Sequence, residues 1–506
     1  MNWSSSKQIK LGAIMSYLSI AINMIAGLLY TPWLVKSIGQ SDYGLYTLAG
    51  SLISLFMLDF GISSAVSRFI SKYLAENRQE DVNNFMGIVY KLYFLIDAVF
   101  AAVLVVLFFF LHRVYPSLSP SEIERFKVVY LIVSFNNVVA FPFVTFSGIL
   151  TSYEQFFQLK LCNIFHKLSV VICMVIALTL GKGLYTLVSV NLICNFLTIG
   201  LKYFYIWKNT PLKVNFGYWD KGTLKSIFGF SFWSTIISIA ERFIFNIIPS
   251  VLAALSGSLS VAVFGVSSTI EGYVYTFSSA VNGMFLPKTS RILTHENKDS
   301  ELLALMIRIG RINLIIVSVV IIGYICAGRE FMTLWMGKKY ERAYYVALLM
   351  ILPDLIYAPQ EIARTTLVAE NRIKYQAVVY VIIGIINVAV SLILCPRLGE
   401  LGAGISIFME YSVRFILMTR IYNKILKIDV FCFFRECHGK MLPALVLSLI
   451  VGKLVFLLKT TGWIFFILKC CALVTAYAII MWLMGFNMYE KNLIKSMVIR
   501  VTGKRN

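Results

Sequence analysis

Charge is scarce in this chain: only 14% of its 506 residues are Asp, Glu, Lys or Arg. No polar stretch is long enough to make a soluble domain, so a length that would otherwise suggest several domains reads as one membrane domain. Catalytic signatures are missing too. The absence of a P-loop pattern excludes ATP hydrolysis by that route, and neither an HExxH nor a GxSxG constellation occurs. The nine cysteines outline no disulfide framework, since Cys162, Cys173, Cys194, Cys326, Cys395, Cys470 and Cys471 lie in or beside apolar segments. Cys432 and Cys437 lack a second Cys pair, and His438 does not complete a zinc-ligand spacing. The first apolar segment follows Lys7 and Lys10 but is too long for a signal peptide and has no small-residue cleavage site after it, so it reads as a membrane anchor.

What fills the chain instead is about fourteen apolar segments of bilayer-spanning length. They fall near 11–35, 43–65, 86–111, 128–150, 161–180, 184–206, 226–252, 261–287, 309–328, 343–364, 375–395, 401–422, 441–458 and 463–484. The fold class is therefore all-α and polytopic. Short glycine-bearing connections at 181–183 and 396–400 suit antiparallel helix pairs.

The net charge of +21 does not point to nucleic acid, because Lys and Arg follow the alternation of the loops. With a cytoplasmic N-terminus, 31 of the 46 fall on the cytoplasmic side, Lys202, Lys208, Lys213, Lys221 and Lys225 among them. Eleven fall outside, and Arg242, Arg414, Lys453 and Lys469 lie within spans. The bias places both termini in the cytoplasm. The basic tail (Lys491, Lys495, Arg500, Lys504, Arg505) can lie on an anionic inner leaflet.

A weak internal repeat divides the first twelve spans into two sixes. Pro32 ends span one as Pro249 ends span seven, and Gly44 in span two matches Gly265 in span eight. Six is even, so the halves share one topology and are related by an axis along the membrane normal. The expected organisation is a six-helix lobe at 1–207, a cytoplasmic linker at 208–225, and a second six-helix lobe at 226–425. Residues 426–506 add two further helices and the tail.

Polar residues inside spans are costly and usually face the bundle interior or a wet cavity. Ser231, Thr235, Ser238, Arg242 and Asn246 share one face of span seven, and Ser267, Glu271, Ser278 and Asn282 share one of span eight. Span ten offers Asp354, Tyr357, Glu361 and Thr365, with Pro353 and Pro359 breaking its backbone ladder. The first half has milder counterparts, Asn23 among them, and Asp97 is its main buried charge. Arg242 and Glu271 each lie ~15 Å deep and can neutralise each other. Arg242 is still the first candidate for an anionic ligand, because its own helix face offers no acid. Glu410 and Arg414, four apart on span twelve, can pair within one helix. These stripes outline a polar cavity lined by Arg242, Arg414, Asn246, Ser238, Thr235, Glu271, Asn282 and Asn23. No metal site or cofactor is expected.

Several motifs resemble a known family. SIGQSDYGLYTLAGSLISLFMLDFGISSAVSRFI (37–70), LWMGKKYERAYYVALLMIL (334–352) and CPRLGELGAGISIF (395–408) are similar, in order and spacing, to polysaccharide flippases of the Wzx type in the MATE-like MOP superfamily. The resemblance covers roughly 10 to 425. It implies a two-lobed, twelve-helix core working by alternating access in the bacterial inner membrane. The implied substrate is an undecaprenyl-diphosphate-linked oligosaccharide, with membrane lipids and other polysaccharide-assembly proteins as partners. A diphosphate crossing a bilayer needs a cation in a wet cavity, and Arg offers bidentate contacts. Span one lacks both the arginines of lipid II flippases and the acid common in drug exporters. Coupling to an H+ or Na+ gradient is open through Asp97, Glu271, Asp354 or Glu361. A small-molecule antiporter is the alternative. A membrane glycosyltransferase would want a catalytic outer loop, and the outer loops here are short.

Overall fold

An apolar run of about 20 residues has no water to bond its amides inside a bilayer, and a helix satisfies them within the segment. The computed structural model describes residues 24–25, 27–56, 62–282, 285–458, 460 and 462–502, and every regular element among them is helical. After helical residues 27–38 come α1 (Gln40–Phe56), α2 (Ile62–Ala75), α3 (Gln79–Val114), α4 (Pro120–Ser152), α5 (Phe156–Thr179) and α6 (Leu184–Asn209). Next are α7 (Lys221–Phe245, resumed at Ile248–Leu255), α8 (Ser258–Asn282), α9 (Lys298–Met336), α10 (Lys338–Ala369), α11 (Ile373–Leu398) and α12 (Glu400–Leu426). The chain closes with α13 (Val430–Phe456), α14 (Trp463–Gly485) and α15 (Met488–Thr502).

Eleven helices among the described residues, α3 to α7 and α9 to α14, are long and apolar enough to cross a membrane, so this is a multi-pass membrane protein. The expected number of fourteen is not established. Span one lies largely outside the described residues, as do residues 57–61 of span two. The helix α8 has the length but carries Ser258, Ser260, Ser267, Ser268, Thr269 and Thr276, which lower its apolarity.

Local chemistry sets the helix ends. Ser119 and Glu122 close a capping box at the start of α4, with Pro120 in the first turn. Asp220 caps α7 by accepting from the amides of Gly222 and Thr223 and from the Thr223 hydroxyl. The bonds from Thr223 and Gly222 hold its carboxyl below the usual carboxylate range. At the two short connections, Gly181 and Gly399 take left-handed backbone (φ 71° and 57°).

The chain divides into two compact units, 1–265 with 384–400, and 266–383 with 401–506. In the first, the linker is fastened to α3. Asn215 donates from its amide to Asn83 O and from Nδ2 to Asn84 Oδ1, at 3.1 and 2.7 Å. Gly87 leaves room for it: a Cβ there would lie 1.9 Å from Asn215 O. The first turns of α1 and α8 also meet closely, since a Cβ on Gly44 would lie 2.1 Å from Ser258 O. The Glu122 carboxylate accepts from both Ser41 and Ser258 beside that crossing. Lys202 lies inside α6, as Lys208 does, and Lys167 lies inside α5.

In the second unit α9 is a spine. Pro359 has no N–H for Leu355 O, and His438 Nε2 on α13 donates to that carbonyl instead at 3.0 Å. Asn313 Nδ2 on α9 donates to Ala358 O at 3.1 Å, so the break in α10 is supplied from two neighbours. The helix α14 is held to α9 by Lys469 on Glu330 (2.6 Å) and by Tyr477 on Ser318 (2.7 Å).

Candidate functional site

The densest set of buried ionisable groups described lies in the second unit, on α8, α10, α11 and α12. Arg414 and Glu410 are one helical turn apart on α12, and both are buried. Arg414 donates from Nε and Nη2 to Glu410 Oε1 at 2.9 and 2.7 Å. Three tyrosines surround its guanidinium: the rings of Tyr411, Tyr357 and Tyr380 lie 4.5, 4.8 and 5.1 Å away. A buried cation gains from aromatic faces as well as from its acid. Tyr357 and Tyr380 are joined through their hydroxyls at 3.0 Å.

Two more carboxylates face this cation. Asp354 follows Pro353 at the start of a short helical turn in α10, is 4% exposed, and lies within electrostatic reach of Arg414. Glu271 on α8 lies within reach of both Asp354 and Arg414. Asp354 Oδ2 and Glu410 Oε2 are buried with no hydrogen-bond partner among the described residues. Glu361, by contrast, is matched locally: Arg364, one turn on, donates to both of its oxygens. Around Arg414 three carboxyl groups therefore meet one guanidinium. Beside it, α10 and α12 flank a cavity of about 480 Å³ lined by Pro353, Ile356, Tyr357, Phe408, Tyr411 and Phe415.

In the first unit Arg242 sits in the last turn of the first segment of α7, and its carbonyl accepts from the amide of Asn246 at 2.9 Å. Thr235, Ser238, Arg242 and Asn246 are all half-buried. No ion pair to Arg242 occurs among the described residues. Asp97 on α3 carries a buried Oδ1 without a partner among the described residues. Asn23 and the side chains of Ser231, Ser278 and Asn282 lie outside the described residues.

The sequence reading did not single out Tyr380 or Arg364. Tyr411 and Arg414 lie three apart on one helix face, and that spacing was the available signal. The approach of Tyr380 from α11 depends on tertiary packing and has no local trace.

The sequence matches the model of a family described as polysaccharide biosynthesis protein over residues 9–286. No curated protein matches it. Solved structures with a similar fold include a lipid II flippase MurJ in an inward closed conformation. It is 14% identical, with 96% of this chain and 99% of that one covered and a TM-score of 0.73. An inward-facing multidrug resistance MATE family transporter of the MOP superfamily is 13% identical, covering 80% of this chain and 96% of that one, with a TM-score of 0.63. A MOP superfamily transporter from Pyrococcus furiosus is 11% identical, covering 83% and 96%, with a TM-score of 0.56. These neighbours are flippases and transporters rather than enzymes, and at such identities the likeness is one of fold. More than half of this chain matches the family model, so it belongs to the polysaccharide biosynthesis protein family, with the fold of MOP superfamily transporters.

Proposed function

We propose that this protein is a flippase. It carries undecaprenyl-diphosphate-linked oligosaccharide repeat units from the cytoplasmic to the periplasmic leaflet for surface polysaccharide assembly, as O-antigen, capsule or exopolysaccharide. Family membership over residues 9–286 carries this reading, and the fold shared with a lipid II flippase supports a lipid-linked cargo. In this reading the chain sits in the inner membrane with both termini cytoplasmic. Six-helix lobes at 1–207 and 226–425 rock around the cargo. Arg242 offers its planar fork to the diphosphate, while Asn246, Ser238 and Thr235 serve the sugars. The unbalanced carboxyl groups beside Arg414 are the coupling centre, taking up and releasing a proton during the cycle.

The test is cellular. Cells lacking the protein accumulate undecaprenyl-diphosphate oligosaccharide and lose the corresponding surface polymer; restoring the gene reverses both. The likeness to a multidrug resistance transporter favours a second reading, an ion-coupled small-molecule antiporter. That reading requires normal surface glycan and altered sensitivity to cationic compounds. Finding this pattern without accumulation of the lipid-linked intermediate overturns the flippase.

A further inference from the structure

Three basic side chains lie on the neighbouring helices α5 and α6 of the first unit, away from Arg242's helix. Lys202 on α6 donates to Ser147 Oγ on α4 at 3.1 Å. His166 on α5 pairs through Nδ1 with Thr198 Oγ1 on α6 at 3.2 Å, and it lies within electrostatic reach of both Lys167 and Lys202. All three are half-buried. Lys167 is eleven residues into α5, about 16 Å along the helix. Lys202 is seven residues from the end of α6, about 10 Å. Both therefore belong to the apolar spans rather than to the loops.

A cation in a span is normally matched by an acid, as Lys469 is by Glu330 and Arg414 by Glu410. This cluster differs. Both lysines and the Cys194 carbonyl act on His166, the Cys162 thiol acts on Lys202, and among the described residues no carboxylate forms an ion pair with any of the three. Two lysines and a ring N–H without an ion-paired acid, with the Ser147 hydroxyl beside Lys202, form a donor set for an anion with several oxygens. The surroundings say what kind of anion. Phe165, Leu168 and Ile172 on α5, with Leu197, Tyr203 and Phe204 on α6, are exposed on the same two helices. An anion held here lies beside surface made for acyl or prenyl chains.

We propose that Lys167, Lys202 and His166 form a binding site for the phosphate head of a membrane amphiphile, with Ser147 as an additional donor and Thr198, which gives its own hydrogen to Cys194 O, holding the His166 ring. The lysines act as point charges, and the hydrocarbon tail of the ligand stays in the bilayer. Two sources carry this chemistry: the diphosphate of a prenyl carrier and the headgroup of an anionic phospholipid. Only the first rests on the flippase reading.

The experiment uses the full-length protein purified in detergent and follows its thermal unfolding. The probes are farnesyl diphosphate, phosphatidylglycerol, and farnesol as an uncharged control. Farnesyl diphosphate is expected to raise the melting temperature saturably, and farnesol is not. The pair K167Q and K202Q should weaken apparent affinity at least tenfold, and the pair K167R and K202R should hold it within about threefold. Unliganded melting of each variant separates lost binding from lost folding. Stabilisation by farnesyl diphosphate alone assigns the site to the carrier; equal stabilisation by phosphatidylglycerol assigns it to a phospholipid headgroup. Equal affinities for wild type and the glutamine variant overturn the site, as does the absence of stabilisation by either phosphate probe. Failure of the flippase reading looks different: lipid-linked glycan fails to accumulate in cells lacking the protein, while binding in detergent is untouched.

Discussion

Arg311 on α9 and Glu490 on α15 form a two-point ion pair, Nε to Oε1 at 2.5 Å and Nη2 to Oε2 at 2.9 Å, with each residue only 3% exposed. Two further guanidinium donors reach Glu436 O and Gly485 O. One side chain thus ties together α9, α13, α14 and α15. Breaking a buried pair by removing one partner strands the other charge, at a cost of about 3–5 kcal/mol. Glu490→Ala should accordingly lower the melting temperature of the purified protein sharply and release α15 to protease. Arg311→Met combined with Glu490→Leu should recover most of the loss, since neither charge is then stranded. A single mutant that melts with wild type would show that the pair contributes nothing.

The crossing of α1 and α8 gives a graded prediction. A Cβ on Gly44 meets backbone, Ser258 O at 2.1 Å, and backbone cannot rotate away. A Cβ on Gly265 meets the Thr47 side chain, with Oγ1 at 2.9 Å, and a rotamer change relieves it. Gly44→Ala should therefore destabilise the protein by about 1–3 kcal/mol, and Gly265→Ala by clearly less. Denaturation midpoints in matched detergent measure both. The reverse order would mean that this crossing is not as close as described.

These two glycines also show how far the sequence reached. Their matching positions were legible as a repeat mark, but not that Gly44 lies against Ser258. Helices α3 to α7 and α9 to α14 were legible because an apolar run of spanning length leaves the chain little alternative. The breaks at Pro353 and Pro359 were legible from proline chemistry, whereas the donor that His438 supplies to Leu355 O was not. The Arg414 and Glu410 pair needed only a spacing of four residues. The tyrosines around it come from three helices, and the grouping of His166, Lys167, Lys202, Ser147 and Thr198 also comes from three. Such clusters are written in packing, where one sequence read alone carries no signal.

The two arginines of the candidate site should fail in different ways. Arg414 is held by Glu410 and three tyrosines, so Arg414→Ala strands Glu410 and should lower stability by about 3–5 kcal/mol. Arg414→Lys should recover only part of this, because an ammonium lacks the planar fork. Arg242 has no such partner among the described residues. Arg242→Ala should reach the membrane in normal amount and melt near wild type, yet restore no surface polymer to cells lacking the gene. Membrane yield, melting temperature and complementation separate the two. Loss of folding in the Arg242 variant would make that residue structural.

The last prediction concerns coupling. Glu410, Asp354 and Glu271 are three carboxyl groups around one guanidinium, while Glu361 is already matched by Arg364. Full ionisation would leave two uncompensated negative charges inside the bundle, which low dielectric penalises heavily. Protons or a cation must offset them, and a ligand that enters and leaves there can drive a cycle. Asp354 is the better carrier, because Arg414 donates twice to Glu410 Oε1, while no ion pair to Asp354 occurs among the described residues. Asp354→Asn should therefore keep the fold and abolish the response of transport to an imposed pH gradient in membrane vesicles. Asp97→Asn, in the other unit, should leave that response in place. Vesicles in which wild-type transport ignores the pH gradient but follows a sodium gradient would replace the proton with sodium at this site. Transport indifferent to both gradients would remove coupling from the mechanism altogether.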